Sequence, residues 1–131
     1  VVPKILIIDD DSTFLASLME AVRDHPGWEA AGSCDPDELS RLLVEEAPDI
    51  LVLDGNLGTS DADGLRLVRA LRGDPRYGLL PIILFTGTRT GGADAAVGLE
   101  AGADDYIFKP VSPYEFLARL DSLLRRCSRR A

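Results

Sequence analysis

Acidic residues close two of the apolar runs in this chain. Asp9, Asp10 and Asp11 follow "KILII", and Asp54 follows "ILVL". Thr86 ends a third run, "PIILFT", and Lys109 a fourth, "DYIFK". Each has an ordinary structural explanation. An aspartate after a strand caps the next helix, a threonine suits a strand, and a lysine before proline is a surface charge. Together they place several carboxylates, one hydroxyl and one ammonium at the same ends of their runs. Crowded carboxylates repel and raise one another's pKa unless a cation joins them. An all-oxygen ligand set in an open cleft suits Mg2+, with Mn2+ as the alternative, better than a softer metal. The ammonium and the hydroxyl would then hold an anion beside the metal. A metal, an anion pocket and a carboxylate imply phosphoryl transfer onto Asp54.

These residues can act together only if the fold gathers the ends of the runs on one edge. Five strand candidates cover residues 4–9, 28–33, 49–54, 81–86 and 105–109. The first, third and fourth are continuously apolar, as strands buried on both faces of a parallel sheet are. The second is more polar and reads as an edge strand. Helical spacing fills the gaps. Phe14, Leu15, Leu18, Met19 and Val22 form the stripe of a first helix, stopped by Pro26-Gly27. Asp35-Pro36 reads as the cap of a second, with Leu39, Leu42 and Leu43 buried. Leu65, Leu67, Val68 and Leu71 mark a third, closed by Gly73-Asp74-Pro75. A weak fourth runs near Ala93–Ala101, with Val97 and Leu99 as its main apolar residues. Ser112-Pro113-Tyr114-Glu115 is a capping box for a fifth, whose stripe is Phe116, Leu117, Leu120, Leu123 and Leu124. Fivefold alternation predicts an α/β fold: a doubly wound parallel sheet of five strands with five helices on its two faces. Ligands in such sheets bind beyond the C-terminal strand ends.

The 131 residues make one domain, and the sequence shows no repeat or low-complexity tract. No apolar run approaches the roughly 20 residues that span a bilayer. No signal segment opens the chain, so a membrane partner is not expected. Val1 stands where an initiator Met would, and the chain reads as a segment of a longer protein. Net charge is −8, which repels phosphate backbones and argues against nucleic-acid binding by this segment. The basic stretch "RRCSRR" at 125–130 reads as a helix C-terminus running into a linker. Cys34 and Cys127 lack metal-ligand spacing and read as free thiols of a reducing, cytoplasmic compartment. His25 reads as an exposed residue at the end of the first helix, and Trp28 and Tyr77 as packing or surface residues.

The whole chain resembles a bacterial response-regulator receiver domain, the phosphorylated half of two-component signalling. The residues that carry the resemblance are "KILIIDDD" with Asp9 and Asp10, Asp54, "FTGT" with Thr86, and "DYIFKP" with Tyr106, Lys109 and Pro110. The resemblance implies a CheY-like, flavodoxin-like sheet in the order 2-1-3-4-5, with residues 1–131 as the receiver and 125–131 leading to an output domain. It implies that Asp54 is the phosphoacceptor and that Asp9, Asp10, Asp54 and the Asn56 carbonyl bind Mg2+. It implies that Lys109 and Thr86 contact the phosphoryl group, and that Thr86 and Tyr106 switch the face of helix four, strand five and helix five. The donor would be a phosphohistidine of a sensor kinase or phosphotransfer protein, and homodimers through that face are among the assemblies implied. Such a domain is not an enzyme in the usual sense; it catalyses only its own phosphorylation and dephosphorylation. The alternative is a degenerate receiver used only for protein interaction, but no acidic residue, acceptor or lysine is lost. The resemblance also implies a cis bond before Pro110.

Two departures stand out. Leu57-Gly58 replaces the family's usual proline, and Gly64, ten residues after Asp54, leaves the 55–63 loop about two residues longer than the common pattern. With few apolar anchors, residues 57–63 are expected to be mobile without metal or phosphate. "DGNL" is also similar to the haloacid-dehalogenase motif, but that alignment puts the nucleophile at Val52, which cannot attack phosphorus. "TGTRTGG" resembles a flavodoxin phosphate loop, yet follows the fourth strand rather than the first.

Overall fold

A computed structural model describes residues 2–55, 63–87 and 92–128. The elements run β1 (Lys4–Ile8), α1 (Ser12–Arg23), β2 (Glu29–Ser33), α2 (Leu39–Glu46), β3 (Ile50–Asp54), α3 (Asp63–Gly73), β4 (Ile82–Thr86), α4 (Gly92–Ala101), β5 (Asp105–Phe108) and α5 (Pro113–Ser128). All strand pairs are parallel, and the sheet order is β2-β1-β3-β4-β5. The five-stranded, doubly wound α/β fold expected from the alternation is the one found.

Strand periodicity explains why the inner strands are apolar throughout, since neighbouring residues point to opposite faces. Leu6, Ile8, Leu51, Leu53, Ile82 and Leu84 pack with Leu39, Leu42 and Leu43 of α2 and Val68 and Leu71 of α3. Ile5, Ile7, Ile50, Val52, Ile83 and Phe85 pack on the other face with Leu18 and Val22 of α1 and Phe116, Leu120 and Leu123 of α5. Both faces are therefore closed, while β2, on the edge, has no fully buried residue.

Several boundaries reflect capping. Asp11 caps α1, its carboxylate accepting from the backbone N–H groups of Thr13 and Phe14. Asp35 accepts from Asp37 N–H, but the turn it opens, Pro36–Glu38, is 3-10, and α2 starts only at Leu39. Ser112 Oγ accepts from Glu115 N–H at 3.1 Å at the start of α5.

α4 lies where the weak fourth pattern places it, and its main apolar residues, Val97 and Leu99, are exposed. Gly98 faces the sheet, where an added Cβ would lie 2.4 Å from the Tyr106 ring, and Ala101 packs on the core as well. One expectation is corrected. His25 is not an exposed helix residue. It lies past the end of α1, half-buried, with its ring stacked on Trp28 at 3.6 Å between centroids. Cys34 and Cys127 are free thiols. Among the described residues no helix is long and apolar enough to cross a membrane.

Candidate functional site

The described residues that are both polar and buried are three: Asp9 at 2% exposure, Asp54 at 5% and Thr86 at 3%. They end or follow β1, β3 and β4, so all three lie at the C-terminal edge of the sheet. Burying a polar group is costly unless it is partnered, and here three adjacent strands deliver one each to the same place. Ladder bonds continue past the strand ends and fix the backbone there. Asp9 N–H donates to Ser33 O, Gly55 N–H to Phe85 O, and Lys109 N–H to Thr86 O.

Carboxylate oxygens of Asp9, Asp10 and Asp54 lie within 4.8 Å of one another. Lys109 Nζ reaches between two of them, 2.9 Å from Asp9 Oδ2 and 3.4 Å from Asp54 Oδ2. Asp9 Oδ1 accepts from Asp11 N–H. Burial raises the Asp9 carboxyl to about 6, against the pull of Lys109 and the Asp11 N–H, with the Asp54 charge adding to the rise. Asp10 is raised too, by desolvation of its carboxyl and then by its hydrogen bond and charge contact with Asp54. Burial works against the charge on Lys109, but the two carboxylates outweigh it, and its pKa is raised.

Among the described residues, three carboxylates therefore face one ammonium at this edge. The charge deficit and the all-oxygen donor set fit a hard divalent cation. Asp11, which sequence alone groups with its two neighbours, turns away to cap α1. Asn56 and the 57–62 part of the loop lie outside the described residues. The loop's return is visible: Gly64 N–H donates to Gly55 O at 3.1 Å. A Cβ on Gly64 would sit 2.5 Å from Gly55 Cα and 2.7 Å from Asp54 O, so α3 begins in backbone contact with the end of β3. The Lys109–Pro110 peptide is cis, as expected.

Tyr106 is not part of this cluster. It pairs with Leu84 in the ladder, two residues before Phe108 pairs with Thr86, and its ring packs on Gly98 and edge-on to Phe108. Phe14 was legible only as part of a helix stripe. Its ring instead lies beside the cluster, with Lys109 Nζ 4.3 Å from its centroid.

Comparison with known proteins places the chain in a family. Residues 5–121 match the model of the response regulator receiver domain. The chain is 41% identical over 124 residues to transcriptional regulatory protein PrrA of Mycobacterium tuberculosis, covering 95% of this chain and 51% of that protein. It is 38% identical to transcriptional regulatory protein GltR of Pseudomonas aeruginosa, covering 94% of this chain and 49% of GltR. The chain thus spans about half the length of these relatives. Its fold is similar to a CheY-like receiver domain from Methanospirillum hungatei, with a TM-score of 0.86, 25% identity and full coverage of both chains. It is also similar to the BeF3-activated receiver domain of Klebsiella pneumoniae RstA, with a TM-score of 0.82, 31% identity and coverage of 93% and 98%. Sequence match and sheet order agree over nearly the whole chain, and the chain belongs to the response regulator receiver domains.

Proposed function

We propose that the chain is the phosphoacceptor of a two-component system and that Asp54 takes the phosphoryl group. The observation that carries this reading is a buried carboxylate at the end of the central strand, flanked by Asp9, Asp10 and Lys109. Asp54 Oδ forms the new P–O bond as the P–N bond of a donor phosphohistidine breaks, and the bonding pair leaves with the imidazole nitrogen. Asp10 and Asp54 would hold Mg2+ directly, Asp9 directly or through water, and the Asn56 carbonyl would complete the protein's share. Bound there, Mg2+ offsets charge on the transferring group. Lys109 pairs with one phosphoryl oxygen, and the Thr86 hydroxyl donates to another. Movement of Thr86 toward that oxygen, followed by Tyr106, carries the state of Asp54 to the face made by α4, β5 and α5. A sensor histidine kinase or phosphotransfer protein is the donor, and that face is the surface for self-association.

The relatives are named as transcriptional regulators and are about twice this length. We infer an output domain beyond the receiver, reached through residues 125–131, and control of transcription by the whole protein.

Incubation with acetyl phosphate and Mg2+, read by intact mass, tests the assignment. Wild type is expected to gain one phosphoryl group and Asp54→Asn none, with both chains melting cooperatively. Undiminished uptake by Asp54→Asn would move the acceptor elsewhere. No uptake by either chain would leave an interaction-only domain.

A further inference from the structure

Lys109 is held by more than carboxylates. Its Nζ lies 4.3 Å from the centroid of the Phe14 ring, within the distance at which the negative face of an aromatic ring attracts a cation. The ring is itself fixed. Phe14 sits in the first turn of α1, its N–H donating to the Asp11 cap at 3.1 Å. Its ring meets Phe85 of β4 edge-on, with centroids 5.5 Å apart. Phe85 is fully buried and meets Phe116 of α5, also at 5.5 Å. Three aromatic rings thus lead from the core out to the Lys109 ammonium.

We propose that Phe14 is a positioning residue for Lys109, its ring face keeping the ammonium beside Asp54 when the neighbouring carboxylates turn to a metal ion. The functional consequence rests on the phosphoacceptor reading; the contact itself does not. The physical reason is competition. The oxygens that hold Lys109, Asp9 Oδ2 and Asp54 Oδ2, belong to the same carboxylates that a divalent cation would use. An ammonium that loses those bonds needs another partner, because the Lys109 side chain is only 19% exposed and water replaces them incompletely. A π face is no ligand for a hard divalent ion, so the hold of the ring on Lys109 survives when the carboxylates are engaged. Leucine would fill much of the same space but lacks the ring quadrupole. The ammonium would then spend less time where a phosphoryl oxygen needs it, and transfer would slow through lost positioning.

Wild type, Phe14→Leu and Phe14→Tyr test this with two readouts. The first is the NMR shift of the Lys109 ε-methylene protons, with and without Mg2+. The ring current is expected to move them upfield in wild type and Phe14→Tyr, and Phe14→Leu should return them to ordinary lysine values. The second is the rate of phosphorylation from acetyl phosphate at saturating Mg2+. It should fall about 3- to 10-fold in Phe14→Leu and stay within about twofold in Phe14→Tyr. Wild-type methylene protons that are unshifted with Mg2+ bound would overturn the proposal, as would Phe14→Leu reacting at the wild-type rate. The wild-type shift needs no variant, so a Phe14→Leu chain that fails to fold leaves the test standing. If wild type itself takes no phosphate, the phosphoacceptor reading fails, and the ring-current comparison alone decides whether Phe14 holds Lys109.

Discussion

The Asp9 carboxyl is raised from 3.8 to about 6, with burial as the largest cause. Between those values the folded chain holds a proton that the unfolded chain has released. Stability from this group is therefore fully present below about pH 4 and is lost as pH rises through about 6. Asp10, also raised, acts in the same direction. In metal-free buffer, urea midpoints of wild type should fall from pH 4 to pH 7 relative to those of Asp9→Asn, which cannot titrate there. Parallel curves for the two proteins would refute the burial argument. The opposite sign holds for an ordinary salt-bridged aspartate, whose stabilisation grows with pH. This cluster differs because burial of the Asp9 carboxyl outweighs the pull of Lys109.

At the level of elements, one arginine joins several segments at the edge opposite the site. Arg72, in the last turn of α3, donates from Nε to Gly102 O, from Nη1 to Tyr77 O and Leu80 O, and from Nη2 to Asp104 Oδ2. The same Asp104 oxygen accepts from Ile82 N–H at the start of β4. Arg72→Ala should cost about 3 kcal/mol by chemical denaturation, since it removes charge-assisted bonds and strands partly buried carbonyls. A loss under about 1 kcal/mol would mean that water replaces the guanidinium there. α4 makes a second case. A glycine, Gly98, lies under the Tyr106 ring of β5. Gly98→Ala should push that ring away, costing about 1–3 kcal/mol through overpacking and altering the Tyr106 ring signals by NMR. Unchanged Tyr106 signals would show that α4 yields instead. The same contact explains which elements were legible. β1, β3 and β4 announce themselves because both faces bury large apolar residues. α4 hides its inward face, because a glycine carries no hydropathy signal and the apolar letters beside it, Val97 and Leu99, point outward. In the site, Asp54, Lys109 and Thr86 could be placed from strand ends alone. Which of three consecutive aspartates would cap α1 could not, since that depends on the turn after Ile8. Phe14 looked like core because its spacing to Leu18 is that of a core stripe, and only the fold brings Lys109, 95 positions later in the sequence, to its ring.

For the molecule as a whole, charge sets the response to metal. The chain carries −8 overall, and three of its carboxylates converge within 4.8 Å. Any added salt will screen diffuse repulsion across the surface. A cation held by the cluster should do more, because a ligand that binds only the folded state stabilises it by mass action, about 2.7 kcal/mol when present at 100 times its dissociation constant. Screening and site binding are separable by ionic strength. Mg2+ at millimolar concentration should raise the melting temperature, and NaCl at equal ionic strength should raise it much less. Asp10→Asn removes the exposed carboxylate of the cluster while leaving the Asp9–Lys109 pair in place. It should melt at or above the metal-free wild-type temperature, because a repulsive charge is gone, yet gain little from Mg2+. Equal stabilisation by NaCl and Mg2+, or a full Mg2+ response in Asp10→Asn, would show that the acidic edge is merely screened and that the cation is not held by these carboxylates.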